Sequence, residues 1–163
     1  MLITKRQKQI LIGTLLGDGH LEKNGSGARL KFGHGLPQKD YITWKFEALK
    51  NLATSAPRFV KEYYEKTNKR TQALQFSTFT SKELMEWRHI FYREDGTKIV
   101  PQNVSNLLTS PLSLAVWFMD DGYKRNDCNA LRISTDAFSL KDHKLLIGCL
   151  YRNFNVKSVI HKK

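Results

Sequence analysis

Hydrophobic positions recur at helical spacing in five stretches of this chain and alternate singly between them. In residues 4–17, Ile10, Leu11, Leu15 and Leu16 mark one helix, with Thr4 as its N-cap. Gly19 supplies a stop that tolerates the left-handed conformation. From His20 to Gly35 the period changes to two: Leu21, the turn Asn24-Gly25-Ser26-Gly27, then Leu30 and Phe32 against Arg29, Lys31 and Gly33. That pattern predicts a hairpin with basic residues on one face of its far strand. Residues 37–52 return to helical spacing through Tyr41, Trp44, Phe46 and Leu49, entered at Pro37. Strands are predicted around Arg58–Tyr64 and Gln72–Thr78, and a helix from Ser81 to Tyr92 carries Leu84, Trp87 and Phe91 on one stripe. Arg93 to Asn103, with Gly96 and Pro101, reads as a connector.

The order then begins again. Leu114 to Met119 is apolar and helical, Leu131, Ile133 and Thr135 alternate, Ser139 to Asn153 is an amphipathic helix, and Val156 to Ile160 starts a strand. An internal repeat follows, with residues 1–103 as the first copy plus connector and 104–163 as an incomplete second copy. Either the second half is reduced or the chain is a piece of a longer product. A strand ending at Ile160-His161-Lys162-Lys163 would leave an open sheet edge, which favours truncation.

Both apolar helices end on acid and glycine: LIGTLLGDG from Leu11 to Gly19, and LAVWFMDDG from Leu114 to Gly122. Gly13 and Gly17 would let the first backbone approach a partner closely, and the second helix offers Ala115 beside the bulkier Val116 and Trp117. Packing the two would bring Asp18 and Asp121 to neighbouring helix C-termini, where the dipole and their mutual repulsion disfavour both. A cation must compensate, and Mg²⁺, which takes carboxylate, water and phosphate oxygens, fits that demand. One Asp-Gly is commonly no more than a helix stop, but two copies, each ending an apolar helix and each followed by a strand pattern, point to shared chemistry.

The charge balance sharpens this. In 163 residues, 27 Lys and Arg against 15 Asp and Glu leave a net charge of +12, and the pI is near 9.8. Such a balance suits contacts to a polyanion. Aromatic residues are spread along the chain, which argues against a disordered tail. Cys128 and Cys149 form no C-x-x-C, so neither a disulfide framework nor a zinc ribbon is expected. The five histidines lack metal-protease spacing. No run is long and apolar enough for a membrane span or shaped as a signal peptide, so an intracellular protein, organellar or bacterial, is expected. Trp44, Trp87, Trp117, Met85 and Met119 read as core.

The paired segments resemble the two motifs of single-chain LAGLIDADG homing endonucleases, the intron- and intein-associated DNA cleavers. Ser110-Pro111-Leu112-Ser113 before the second motif and Pro101-Gln102-Asn103 upstream add to the likeness, which spans roughly residues 8 to 161. The resemblance implies an α+β, pseudo-twofold fold: an antiparallel β-saddle, helices packed behind it and two central motif helices. It implies that Asp18 and Asp121 bind the catalytic metal, Mg²⁺ or Mn²⁺, with Gly17 and Asp120 in supporting metal positions and Lys98 as a catalytic-pocket lysine. A second such lysine would come from the part of the repeat absent here.

It implies further that the strands enter the major groove of double-stranded DNA at a long asymmetric target. Candidate contacts are Arg29, Lys31, His34, Lys61, Arg70, Gln72 and Gln75 in the first half. In the second they are Lys124, Arg125, Asn126, Arg132 and Ser134. Arg suits guanine, and Asn or Gln suits adenine. The leading function is a metal-dependent, site-specific DNA endonuclease. The alternatives are an RNA maturase aiding its own intron's splicing, and a remnant that only binds. The chain would act as a monomer or paired with a chain supplying the missing part, and no membrane is involved.

Overall fold

A computed structural model describes residues 2–64 and 69–161. Six α-helices and six strands follow in the order α1 (Lys5–Leu16), β1 (His20–Asn24), β2 (Gly27–Gly35), α2 (Lys39–Leu49), β3 (Arg58–Tyr64), β4 (Lys69–Ser77), α3 (Lys82–Phe91), α4 (Val104–Leu107), α5 (Pro111–Asp121), β5 (Gly122–Lys124), β6 (Leu131–Ile133) and α6 (Leu140–Phe154). The chain divides into two compact units, Met1–Gln7 with Asp18–Glu86, and Lys8–Gly17 with Trp87–Lys163. These do not coincide with the repeat boundary after residue 103. Repeats follow chain order and units follow packing, so most of the first motif helix is grouped with the second.

The first unit is built on an antiparallel sheet of order β1-β2-β4-β3. Gly25, at φ 59°, closes the β1–β2 hairpin, where Asn24 pairs with Gly27. Period-two alternation then sorts β2 between two faces. Ala28, Leu30, Phe32 and His34 are buried, whereas Arg29, Lys31, Gly33 and Gly35 lie half-buried or exposed between them. The buried face receives α2: Phe32 stacks on Phe76 of β4 at 4.4 Å, and Phe46 of α2 meets Phe76 edge-on at 5.6 Å. Pro37 starts a short 3₁₀ turn that leads into α2, and Ile42, Lys45 and Leu49 are the helix's buried stripe. Thr4 accepts from the Gln7 amide at 3.2 Å and Gln7 returns a bond to Thr4 at 3.1 Å, a reciprocal N-terminal cap.

In the second unit α1 lies directly against α5. A Cβ added at Gly13 would stand 2.3 Å from the Ser113 carbonyl oxygen and 2.7 Å from Val116 Cβ. The partners are Ser113 and Val116, not Ala115, which is exposed. Ser110 caps α5 by accepting from the Leu112 amide at 3.2 Å, with Pro111 in the first turn. Helix α6 has a full capping box, Ser139 with Asp142, and ends on left-handed Asn155. It holds α4 through Asn153 Nδ2, which donates to the carbonyls of Ser105 (2.8 Å) and Leu108 (2.7 Å).

Several expectations need correction. Residues 155–161 have no regular structure, so the strand expected at Val156–Ile160, and the open edge argued from it, are not there. Among the described residues positive φ falls on Gly25, Gly96 and Asn155, and Gly19 is not among them. Gly122 is needed for space rather than handedness: at φ −89°, a Cβ there would lie 2.3 Å from the Phe118 ring. Met119 is 48 % exposed and Trp44 36 %, whereas Trp117 is core as expected. Among the described residues no helix is long and apolar enough to cross a membrane.

The contrast between two helical glycines is testable by urea denaturation. Gly13→Ala drives a methyl into main chain and should cost about 2 to 3 kcal/mol. Gly148→Ala, in α6 with nothing within 4 Å of the new Cβ, should stabilise by up to about 1 kcal/mol. Equal effects from both would contradict the close approach at Gly13.

Candidate active site and nucleic-acid interface

The outer face of the first unit's sheet forms a concavity of about 670 Å³ that includes Asp18, Arg29, Lys31, Arg58, Gln75 and Ser77. Register explains the assembly. Lys31 pairs with Ser77 and Gly33 with Gln75 across β2–β4, while Arg58 pairs with Gln75 across β3–β4. Paired residues share a face, so Arg58, Gln75 and Gly33 form one row and Ser77 and Lys31 the next. Glu22 on β1 orders the cations: it accepts from Arg29 Nε at 2.5 Å and from Lys31 Nζ at 2.7 Å. Those two bonds, Lys31's first, hold the Glu22 carboxyl below its ordinary value. The result is a concave, basic and partly pre-ordered surface with Asp18 in its lining.

The same parity sets some of the expected residues apart from these. His34 belongs to the buried face, 4 % exposed, and meets the concavity only with that small remainder. Lys61 pairs with Gln72 and Phe59 with Leu74. Lys61 and Gln72 are both exposed, but on the face opposite Arg29, Lys31 and Gln75. Arg70 lies outside the residues whose side chains are described. Arg58, which sequence reasoning passed over, is the additional cation on the concave face. Counting its register from Gln75 would have found it.

In the second unit Tyr123 pairs with Arg132, and Lys124 with Leu131. Arg132 and Lys124 therefore occupy opposite faces of the β5–β6 hairpin. Arg132 Nη1 donates to the Tyr123 hydroxyl at 3.1 Å. Arg125 donates through Nε to Asp127 at 2.8 Å and forms a second bond through Nη2. Asp127's carboxyl is thereby held down at about 2, and the pair largely cancels Arg125's charge. Asn126 is exposed at the same turn. The Ser134 amide donates to the Asp121 carbonyl at 2.9 Å, so this candidate is tied to the end of α5.

At the other end of the motif helices three expected residues meet. A Cβ on Gly17 would lie 2.5 Å from Asp120 Cβ and 2.7 Å from its Oδ2. Lys98 Nζ donates to the Gly17 carbonyl at 2.5 Å, and that carbonyl belongs to the peptide bond leading into Asp18. A tight turn presents the lysine. Gly96 at φ 84° allows Arg93 to receive the Gly96 amide, Asp95 caps the Thr97 amide, and Lys98 bridges back to Tyr92. An ammonium on the last carbonyls of a helix is favourably placed in its dipole.

Asp18 belongs to the first unit and Asp120 and Asp121 to the second. Among the described residues no three His, Cys, Asp or Glu side chains cluster as a ready cage. The donors on hand, carboxylates and a main-chain carbonyl, are hard oxygens. They fit Mg²⁺ or Mn²⁺ provided that waters and phosphate oxygens complete the shell.

Beneath Asp18 lies a network absent from sequence reasoning. Lys45, fully buried, places Nζ 3.2 Å from His34 Nε2 and 4.6 Å from the centre of the Tyr41 ring. His34 Nδ1 stands 3.2 Å from Gln38 Oε1 and 3.9 Å from Asp18 Oδ2. Burial, and then the Lys45 charge, push the His34 imidazole down to about 4 from an ordinary 6.5. Unfolded chains take up this proton near 6.5 and the folded one does not until about 4. The neutral ring's contribution is therefore complete above 6.5 and is lost as pH falls toward 4. The stability advantage of the native chain over His34→Asn should shrink by roughly 2 kcal/mol between pH 7.5 and 4.5 in urea titrations. A pH-independent difference would contradict the burial of a neutral ring.

Three comparisons bear on identity. The profile of the LAGLIDADG DNA endonuclease family matches residues 8–163. The cytochrome b mRNA maturase bI2 of Saccharomyces cerevisiae is 36 % identical over 94 % of this chain, which spans 38 % of that protein. The DNA endonuclease I-ChuI of Chlamydomonas applanata is 31 % identical over the whole chain, which covers 79 % of it. Among solved structures, the homing endonuclease I-WcaI bound to its DNA recognition sequence superposes with a TM-score of 0.88 at 25 % identity, covering all of this chain and 74 % of that one.

Proposed function

Because the chain belongs to the LAGLIDADG DNA endonuclease family, we propose that it is a site-specific double-strand DNA endonuclease that uses a divalent metal. The observation that carries this reading is one concavity in which the DNA-contact candidates Arg29, Lys31, Arg58 and Gln75 lie with Asp18. A surface of this kind seats phosphates and reads base edges while holding a carboxylate at the place where a backbone would run. The fold is that of a homing endonuclease whose structure contains its DNA target, which supports the same use of the sheet.

The residues divide the work. Arg58 and Lys31 would supply positive charge for the phosphates, and Gln75, whose amide lies over the side-chain-free Gly33, would meet a base edge. Asp18 and Asp121 would hold the metal, Asp120 and the Gly17 carbonyl would support it, and Lys98 would steady the turn between Gly17 and Asp18. When bound, Mg²⁺ or Mn²⁺ lowers the pKa of an attacking water and neutralises charge on the scissile phosphate. A monomer acting on a long duplex is the simplest assembly for two motifs in one chain.

A maturase reading has its own support in the 36 % identity to a yeast mRNA maturase. It predicts that splicing of a cognate intron survives Asp18→Asn with Asp121→Asn.

For the endonuclease, the same double substitution should abolish cutting in Mg²⁺ and leave binding in Ca²⁺ intact, read by gel assays on one duplex. Persistent cutting by the double variant would remove both aspartates from the mechanism. Arg58→Ala should weaken binding to all duplexes and reduce the salt slope by about one. Gln75→Ala should relax preference at one base pair by about 1 to 3 kcal/mol.

A further inference from the structure

The proposed site has a buried support that the metal and DNA assignments leave unused. Lys45 rises from α2 through the core side of the sheet and ends against His34, whose ring also faces Gln38 and Asp18. A lysine ammonium has donors and no acceptor, so the contact at 3.2 Å requires His34 Nε2 to accept. That leaves the ring's one proton on Nδ1. From there it is donated to Gln38 Oε1 at 3.2 Å, and its positive end faces the Asp18 carboxylate at 3.9 Å.

The partners are well fixed. Lys45 is fully buried, with its charge 4.6 Å from the Tyr41 ring centre and 5.8 Å from that of Phe32. Tyr41 also packs beside His34, with ring centres 5.0 Å apart. His34 sits on the buried face of β2, one residue beyond the outward-facing Gly33. Asp18, by contrast, is 49 % exposed at its side chain. A half-exposed carboxylate that must meet a metal gains from a rigid, neutral donor behind it, as metal ligands generally do from the groups that orient them.

We propose that Lys45 and His34 form a positioning relay for Asp18, in which the buried ammonium fixes the imidazole as the Nδ1–H tautomer and the imidazole orients the carboxylate. Neither residue touches substrate. The assignment rests on Asp18 serving as a metal ligand, but the tautomer can be read without any cleavage.

The test uses the full chain labelled with ¹⁵N at histidine, with the His34 signals identified by their loss in His34→Asn. Nitrogen–proton correlation spectra of the metal-free protein should show Nδ1 protonated and Nε2 bare. In Lys45→Met, which keeps the stem and removes the ammonium, the Nε2–H form should appear. The Mg²⁺ concentration for half-maximal cleavage should rise roughly tenfold or more in Lys45→Met and in His34→Leu, with duplex affinity in Ca²⁺ unchanged. His34→Asn, whose amide can donate from near the Nδ1 position, should recover most of the loss.

A native ring protonated at Nε2 overturns the relay, and that result stands even if Lys45→Met does not fold. A Lys45→Met chain with an unchanged tautomer and an unchanged Mg²⁺ requirement overturns it equally. If the native chain cuts no duplex while the spectra show the expected tautomer and its response to Lys45→Met, the endonuclease reading fails. Broadening of the His34 signals by added Mn²⁺, weaker in Lys45→Met, then decides the relay alone.

Discussion

Main chain against side chain at van der Waals contact, where α1 meets α5, is the constraint on which the second unit depends. Gly13 admits the Ser113 carbonyl and Val116, and Gly17 admits Asp120, at distances no other residue permits. The approach leaves the Gly17 carbonyl, one residue past α1, within reach of Lys98. The peptide bond so gripped leads directly into Asp18. The tight packing of the motif helix thus fixes the Gly17 end of that peptide bond, and the glycines are structural requirements of the second unit.

Much of this was legible in the chain. The alternation of Leu30 and Phe32 with Arg29 and Lys31 located a half-buried strand and its cationic face. Thr4 and Pro37 announced two helix starts, one by cap chemistry and one by its fixed φ. The paired Asp-Gly endings identified the motif helices and, through them, the family. What failed did so for nameable reasons. The burial of His34 was missed, although its even spacing from Leu30 and Phe32 assigns it to the buried face. Arg58 was missed because the face it occupies depends on the β3–β4 register, which only pairing with Gln75 reveals. The strand at 156–160 was read from apolar residues that instead follow the left-handed end of α6 without joining a sheet.

Lys45 illustrates a different limit. In the sequence it is one of many lysines on an amphipathic helix, and nothing local distinguishes it from a solvated one. Only the superposition of α2 on β2 buries it against an imidazole and two aromatic rings. The sheet is therefore used on both faces. Outside, Glu22 arranges Arg29 and Lys31 for a polyanion; inside, a buried cation and a neutral ring lie directly behind Asp18. In the first unit strand parity places Arg29, Lys31 and Arg58 together on one concave surface.

The central claim is that this surface recognises a particular duplex and that the two motif aspartates cut it. Incubating the chain with a library of randomised duplexes, with and without Mg²⁺, and sequencing the ends produced tests it most directly. The account predicts metal-dependent ends that align on one long, asymmetric sequence. Selective retention of a duplex without any cut, in Mg²⁺ and in Mn²⁺ alike, would contradict it.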